Sequence, residues 1–296
     1  MNRRLPATVR VLRPRQWTKN LAVFAPLLFA RAVTVPGAAW HATLAFLSFC
    51  ALASGLYVVN DWVDQGQDRV HPEKKSRPIA AGEIQAYGAG ALTLVCWAAG
   101  GALALLAGPR VAPAALAYVL VELAYTFWLK RYVIVDALVI ATGFVLRVVG
   151  GAAAIEVPVS NWLFLCALLL ALFLALGKRR AELLTLEVSD APGHRATLAD
   201  YSVPLLDQML TLVAATCVVS YALYSVAPDT IEKVGSDRMK FTVPFVVYGI
   251  LRYLYLLQRR GVGGSPERVL LDDKPTLLNL ALYLGTVSWV LFGRPT

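Results

Sequence analysis

Charged residues and the common catalytic motifs are scarce in this sequence. Only 16% of its 296 residues are Asp, Glu, Lys or Arg, whereas 58% are hydrophobic. A water-soluble core of this size has no need of successive apolar runs of about 20 residues. The sequence also contains no P-loop, no G-x-G-x-x-G motif after a strand and no Ser/His/Asp arrangement. These absences leave hydrolytic and nucleotide-binding functions without support, and the composition favours a membrane protein.

Cysteine pairs and internal repeats are also lacking. The four cysteines each lie in a different apolar run, and no two of them are close in sequence. This pattern is typical of small core residues rather than of disulfides. We find no convincing internal repeat, so the sequence does not indicate a transporter built from inverted repeats.

Apolar runs are what the sequence has in abundance. Lipid offers the backbone no hydrogen-bond partners, so such runs are expected to be helices. We predict an all-α membrane protein, a bundle of nine transmembrane helices forming one domain over residues 21–296, preceded by a cytoplasmic or interfacial arm at 1–20. The predicted spans are 21–39, 41–60, 86–107, 112–129, 133–152, 161–177, 205–227, 241–258 and 276–293.

The distribution of Lys and Arg predicts the orientation. If the N-terminus is inside, the inner segments carry many more basic residues than the outer ones. The positive-inside rule therefore predicts a multi-pass plasma-membrane protein whose N-terminus and active site are cytoplasmic. The net charge of +9 then reflects this topology and anionic ligands or lipids, with no need for nucleic acid as a partner.

The longest polar stretch in the first half of the chain runs from 60 to 78. If the preceding helix continues into it, four oxygen-bearing side chains fall within an arc of roughly 100°. They are Asn60, Asp61, Asp64 and Asp68. Carboxylates so crowded repel one another unless a cation lies among them, and oxygen ligands favour Mg²⁺. We predict that these four residues bind Mg²⁺ and that the three aspartates are catalytic. The alternative is an ordinary hydrated loop.

Nearby basic residues would suit the phosphate oxygens of a substrate. Lys74 and Arg77 follow the aspartates, Lys130 lies in a short inner turn, and Lys19 is near the end of the N-terminal arm. Tyr57 falls on the same helical face as the aspartates and is a candidate hydrogen-bond partner of the substrate. The alternatives are a topology signal for the basic residues and a membrane-surface arm around Lys19.

Charges inside predicted spans are further substrate-binding candidates, because such charges usually face a cavity. Asp136 and Arg147 are two of them. For Arg147 the alternative is that it snorkels or braces another helix. Glu122 and Arg252 are also intramembrane charges, and the sequence indicates no partner for either.

A second polar inner segment begins near residue 177 and ends at 204. Its candidate substrate-binding residues are Lys178, Arg179, Glu182, Arg195 and Tyr201. Four-residue spacing places Lys178 and Glu182 on one face of a helix. Both polar segments follow long apolar helices and open to the same side, so we predict that they form the acidic and basic sides of a phosphate clamp. The alternative is that the cations only mark topology.

Several short motifs resemble the UbiA superfamily of intramembrane prenyltransferases. They are N-D-x-x-D-x-x-x-D at 60–68 and K-x-x-R-P at 74–78. Four more resemble the actinobacterial branch that transfers phosphoribose: R-P-R-Q-W-T-K-N at 13–20, V-D at 135–136, F-V-L-R at 144–147 and G-K-R-R-A-E-L at 177–183. The resemblance covers nearly the whole chain and implies a UbiA-like helical bundle.

The resemblance implies a Mg²⁺-dependent transfer of 5-phosphoribose from phosphoribosyl pyrophosphate to a polyprenyl phosphate such as decaprenyl phosphate. Such a reaction releases pyrophosphate and supplies precursors of cell-wall arabinan. Aromatic prenyltransferases of the superfamily carry a second Asp-rich motif where this chain reads Lys178-Arg-Arg-Ala-Glu182. Basic residues at this position suit the more negative phosphoribosyl pyrophosphate. The alternative is UbiA-type prenyl transfer from a polyprenyl diphosphate to an aromatic acceptor. The sequence leaves a homo-oligomer open.

Overall fold

The computed structural model describes residues 5–70, 74–187, 200–260 and 272–293. Every regular element within these ranges is helical, which confirms the all-α prediction. The α-helices are α1 (Ala7–Val11), α2 (Ala25–Phe29), α3 (Ala38–Val63), α4 (Gln65–Val70), α5 (Ala86–Ala107), α6 (Val111–Phe127), α7 (Val135–Ala154), α8 (Asn161–Glu187), α9 (Val203–Val226), α10 (Pro228–Val234), α11 (Val243–Arg260) and α12 (Lys274–Phe292). The 3-10 helices are Pro14–Phe24, Ala32–Thr34, Lys74–Ser76, Leu129–Arg131 and Arg238–Thr242.

Seven helices in the described ranges are long and apolar enough to cross a membrane, judged by length and composition. They are α3, α5, α7, α8, α9, α11 and α12, and α6 is apolar but shorter.

The predicted first span at 21–39 is instead divided among two 3-10 helices, α2 and the start of α3. Pro26 lies in the first turn of α2, and Gly37 has a φ of 82° directly before α3. Neither residue favours a continuous helix. The multi-pass character is confirmed, whereas the count of nine spans is not.

The described residues divide into two compact units, and the first contains α1 to α7. Its central helix is α3, which packs against α5, α6 and α7. A Cβ atom at Gly100 of α5 would lie 2.6 Å from Cγ of Leu52, and Ser48 donates a hydrogen bond of 2.7 Å to the Gly100 carbonyl. The glycine therefore lets α3 and α5 approach closely. The expectation of one domain over 21–296 stays a prediction.

The second unit contains α8 to α12. α8 packs against α9, and both α9 and α12 pack against α11. Arg252 of α11 donates hydrogen bonds of 2.9 and 3.1 Å to the carboxylate of Asp273. Asp273 is also the N-cap of α12, where it accepts a hydrogen bond of 3.0 Å from the backbone N–H of Thr276. One carboxylate thus caps α12 and neutralises a charge on α11.

Replacing Asp273 with Ala is expected to lower the free energy of unfolding by about 1–3 kcal/mol, because Arg252 loses its partner and α12 loses its cap. The hydrogen bond from Arg252 holds the pKa of Asp273 below its ordinary value. The stabilisation is therefore present above the unfolded-state pKa of about 3.9 and is lost as the pH falls towards the folded-state value. Thermal unfolding of the purified protein in detergent at neutral and acidic pH measures both effects.

Asp272 provides the matched control for this prediction. It is the neighbouring aspartate and its side chain is exposed. Asp272→Ala is expected to change the unfolding temperature little, because exposed side chains without such contacts contribute little to stability. Equal losses in the two variants would contradict the dual role assigned to Asp273.

Candidate functional site

The aspartates predicted to act together lie around the end of α3. The helix continues past Asn60 to Val63 and is interrupted at Asp64, between α3 and α4. The backbone N–H of Asp64 still donates to the carbonyl of Asn60, and that of Asp68 to the carbonyl of Asp64, each at 2.9 Å. Helical spacing is therefore nearly kept across the break. As a result, Asp61 and Asp68 reach the same atom, Nη1 of Arg77, at 3.0 and 2.7 Å.

Each of the three carboxylates is paired with a cation. Besides Arg77, Asp61 accepts a hydrogen bond from Arg13, and Asp64 Oδ1 lies 2.6 Å from Nζ of Lys130. Asp61 and Asp68 are only 1% and 3% exposed, and buried carboxylates need partners to stay ionised. The charged cluster comprises Asp61, Asp64, Asp68, Arg13, Arg77 and Lys130.

The donor chemistry of the charged cluster fits a divalent cation. Its acidic members offer only oxygen atoms, the donors that Mg²⁺ prefers. Oδ2 of Asp61 is buried and has no hydrogen-bond partner among the described residues. No three Asp, Glu, His or Cys side chains within the described ranges are gathered into a metal-binding group. In this structure, positive side chains provide the charge that a metal ion would supply.

Arg13 is a member of the cluster that the sequence interpretation missed. It opens the R-P-R-Q-W-T-K-N motif, which was the available signal. Its guanidinium also lies over the ring of Tyr57, 5.1 Å from the centroid. Ser54 of α3 holds this part of the chain by donating to the carbonyl of Leu12 at 3.0 Å and accepting from Nε1 of Trp17 at 3.1 Å. Part of the predicted interfacial arm is thus packed inside the first unit.

Arg147 lies at the centre of a second, buried network in the first unit. Its Nε donates to Asn20 at 2.6 Å and its Nη2 donates to the hydroxyl of Tyr118 at 2.8 Å. A Cβ atom at Gly143 would lie 2.7 Å from a carboxylate oxygen of Glu122 and 3.4 Å from Nη1 of Arg147, so the two charges are close together. These contacts tie residues of the 3-10 helix Pro14–Phe24, α6 and α7 together, as the bracing alternative predicted. The substrate-binding role of Arg147 stays a prediction.

The other candidates in the first unit lie in different surroundings. Lys19 donates to Gln16 at 3.2 Å. Asn60 and Lys74 are partly exposed, whereas Asp136 is fully buried in the first turn of α7. Their roles in binding substrate or metal stay predictions.

The candidates in the second unit include an intrahelical pair on α8. Lys178 Nζ lies 3.8 Å from a Glu182 carboxylate oxygen, as the four-residue spacing predicted, and Arg179 also binds Glu182. The Lys178 side chain is 38% exposed and that of Arg179 only 1%, so Lys178 is the more accessible cation.

The second polar segment also includes Arg180, Tyr201 and Arg195. Arg180 binds Asp207 of α9 at 2.6 Å, a pair that the sequence did not indicate. Tyr201 is buried, and Arg195 lies outside the described residues. That the Lys178 segment faces the charged cluster stays a prediction.

Comparison with known proteins gives the family. The model of the UbiA prenyltransferase family matches residues 21–263. The chain belongs to this family. Proteins similar to it include decaprenyl-phosphate phosphoribosyltransferase of Corynebacterium glutamicum, which is 36% identical over 95% of this chain and 84% of the relative. The protein of the same name from Mycolicibacterium smegmatis is 32% identical over 96% of this chain and 92% of the relative.

The UbiA-like fold is supported by solved structures as well. The structure of a UbiA homolog from Archaeoglobus fulgidus, bound to GPP and Mg²⁺, matches with a TM-score of 0.74 and 20% identity. The match covers 96% of this chain and 99% of the homolog. The fold predicted from the sequence motifs is therefore confirmed.

Proposed function

We propose that this UbiA-family protein transfers 5-phosphoribose from phosphoribosyl pyrophosphate to a polyprenyl phosphate, in the synthesis of cell-wall arabinan precursors. The observation that carries the proposal is the basic pair Lys178 and Arg179 on α8, where aromatic prenyltransferases have a second Asp-rich motif. Two actinobacterial relatives named decaprenyl-phosphate phosphoribosyltransferase, similar over nearly the whole chain, support it further.

We assign Mg²⁺ binding to four residues around the end of α3. They are Asn60, Asp61, Asp64 and Asp68. Support comes from their oxygen donors, from the unsatisfied Oδ2 of Asp61 and from the Mg²⁺ in the Archaeoglobus fulgidus homolog. When bound, the ion would stabilise the negative charge that develops on the pyrophosphate leaving group.

The basic residues near this site would bind the phosphate groups of the substrates. Arg77 and Lys130 already lie in the charged cluster, and Lys74 is three residues before Arg77 in the sequence. Lys178 is the more accessible cation of the pair Lys178 and Arg179 on α8. Positioning and charge stabilisation of this kind can supply most of the rate in phosphate chemistry. Further substrate contacts are proposed for Lys19, Tyr57, Asp136, Arg147, Arg179, Glu182, Arg195 and Tyr201.

The proposed reaction is a single displacement at C1 of the ribose. An oxygen of the lipid phosphate forms a bond to C1 while the bond from C1 to pyrophosphate breaks, and the electron pair leaves with pyrophosphate. A phosphate monoester has a second pKa of about 6, so the attacking group is largely ionised at neutral pH and needs no general base. In-line attack predicts inversion at C1. The cytoplasmic orientation of this site and the oligomeric state stay predictions.

A reconstitution assay tests the proposal. Purified protein is incubated with Mg²⁺, phosphoribosyl pyrophosphate labelled in the ribose, and decaprenyl phosphate, and the labelled lipid and free pyrophosphate are measured. We expect both products in equal amounts, loss of both on chelation with EDTA and recovery on adding Mg²⁺.

Lys178→Gln is expected to lower the rate about tenfold or more. Lys233→Gln, which removes an exposed lysine of α10, is the matched control and should have no effect.

The competing function is prenyl transfer to an aromatic acceptor. It is favoured by the GPP in the Archaeoglobus fulgidus homolog. Incubation with a polyprenyl diphosphate and 4-hydroxybenzoate tests it in parallel. Prenylated product together with no labelled lipid would overturn the phosphoribosyl proposal, and Lys178→Gln should then leave turnover unchanged.

A further inference from the structure

Two guanidinium groups converge on one oxygen of Asp61. Oδ1 accepts hydrogen bonds from Arg13 and from Arg77. The other oxygen, Oδ2, is buried and has no hydrogen-bond partner in the part of the chain that the structure describes. A buried carboxylate oxygen left without a partner costs free energy, so its position needs an explanation. An oxygen of this kind is suited to a ligand that is not part of the chain.

Arg13 is brought to Asp61 by contacts on both sides of it in the chain. Arg10 forms an ion pair with Glu83, and Ser54 binds the Leu12 carbonyl at 3.0 Å. Arg13 itself has a φ of 52°, a backbone conformation that is uncommon outside glycine. The surrounding contacts therefore hold Arg13 in place, directly beside the proposed metal ligands.

We infer that Arg13 is a resident counter-ion of Asp61 that changes partner when substrate binds. Without ligand, it neutralises the carboxylate. Once a divalent cation binds Asp61, the cation and the Arg13 guanidinium repel each other. The guanidinium then moves to an oxygen of the pyrophosphate group. The planar fork of a guanidinium suits phosphate well. This inference rests on the proposed function, since it requires a metal-bound pyrophosphate group at Asp61.

The exchange predicts opposite effects of one substitution on two binding equilibria. In Arg13→Gln, a divalent cation alone no longer competes with the Arg13 guanidinium for Asp61. Its affinity should therefore rise about tenfold or more. Pyrophosphate in the presence of the metal loses a positive partner and should bind about tenfold more weakly. A residue that only braces the fold would weaken both, and one that only binds phosphate would leave metal affinity unchanged.

The experiment measures these two affinities on the full chain in detergent. Mn²⁺ binding is followed by the electron paramagnetic resonance signal of free Mn²⁺, and inorganic pyrophosphate binding by calorimetry at saturating Mn²⁺. Arg15→Gln is the matched control, because Arg15 is an exposed arginine of the same segment outside the charged cluster. It should change neither affinity.

Tighter Mn²⁺ binding with weaker pyrophosphate binding in Arg13→Gln supports the exchange. Unchanged Mn²⁺ affinity, or a loss of both affinities, overturns it. If Arg13→Gln does not fold, Arg13→Met, which also removes the positive charge, is judged in the same way: tighter Mn²⁺ binding with weaker pyrophosphate binding supports the exchange, and unchanged Mn²⁺ affinity overturns it. Failure of the unaltered protein to bind pyrophosphate would instead overturn the proposed function, and the inference with it.

Discussion

Replacing Asp68 with Asn should lower the rate of phosphoribosyl transfer by about 100- to 1,000-fold, the usual effect of removing one electrostatic contact from a preorganised site. The amide keeps the shape of the side chain but removes the negative charge. A divalent cation loses an anionic ligand, and Arg77 keeps only Asp61 as an acidic partner in the charged cluster. The labelled-lipid assay measures the rate, and circular dichroism checks that the helices are retained.

Asp237→Asn is the control for the Asp68 variant. Asp237 is an aspartate whose side chain is 59% exposed and pairs with Lys240, so both substitutions remove a carboxylate that is bound to a cation. Exposed pairs contribute little to stability, and this one lies in the second unit, outside the charged cluster. We expect the control to retain its activity. Near-normal turnover of Asp68→Asn would contradict the assignment of Asp68 as a metal ligand. Asp64→Asn applies the same test to Asp64, the partner of Lys130.

Replacing Gly151 with Ala should be the most destabilising of the small substitutions considered. A Cβ atom at Gly151 of α7 would lie 1.9 Å from the carbonyl oxygen of Val23, which is a backbone atom and cannot rotate away. Overpacking of this kind typically costs 1–3 kcal/mol and sometimes more, so we expect a loss of about 3 kcal/mol. The unfolding temperature in detergent and the yield of folded protein measure it.

The same substitution is expected to impair activity through the second buried network. Val23 belongs to the 3-10 helix Pro14–Phe24, which also carries Asn20, the hydrogen-bond acceptor of Arg147. Pushing this helix away from α7 would therefore separate Asn20 from Arg147. Gly101→Ala is the matched control, because a Cβ atom there meets nothing within 4 Å. It should be neutral or slightly stabilising. Equal behaviour of the two variants would contradict the packing of this 3-10 helix on α7.

Periodicity along the chain was sufficient for several features of the fold and the site. Apolar runs identified most of the helices, because lipid leaves a spanning backbone few alternatives to an α-helix. The three- and four-residue spacing of the aspartates placed Asp61 and Asp68 on one side of the chain, where both meet Arg77. The same spacing paired Lys178 with Glu182. At 21–39, where periodicity predicted one continuous span, Pro26 and Gly37 disfavour a continuous helix, and the segment is divided into shorter elements.

Residue order by itself thus determined that the protein is a helical membrane protein of the UbiA type with an acidic and a basic polar segment. Only the tertiary structure decided which polar and charged side chains pair with one another. Arg13 and Asp61 are 48 positions apart, Lys130 and Asp64 are 66 apart, and Arg147 and Asn20 are 127 apart. Helical periodicity acts over a few residues, whereas these pairs form because helices distant in sequence pack side by side.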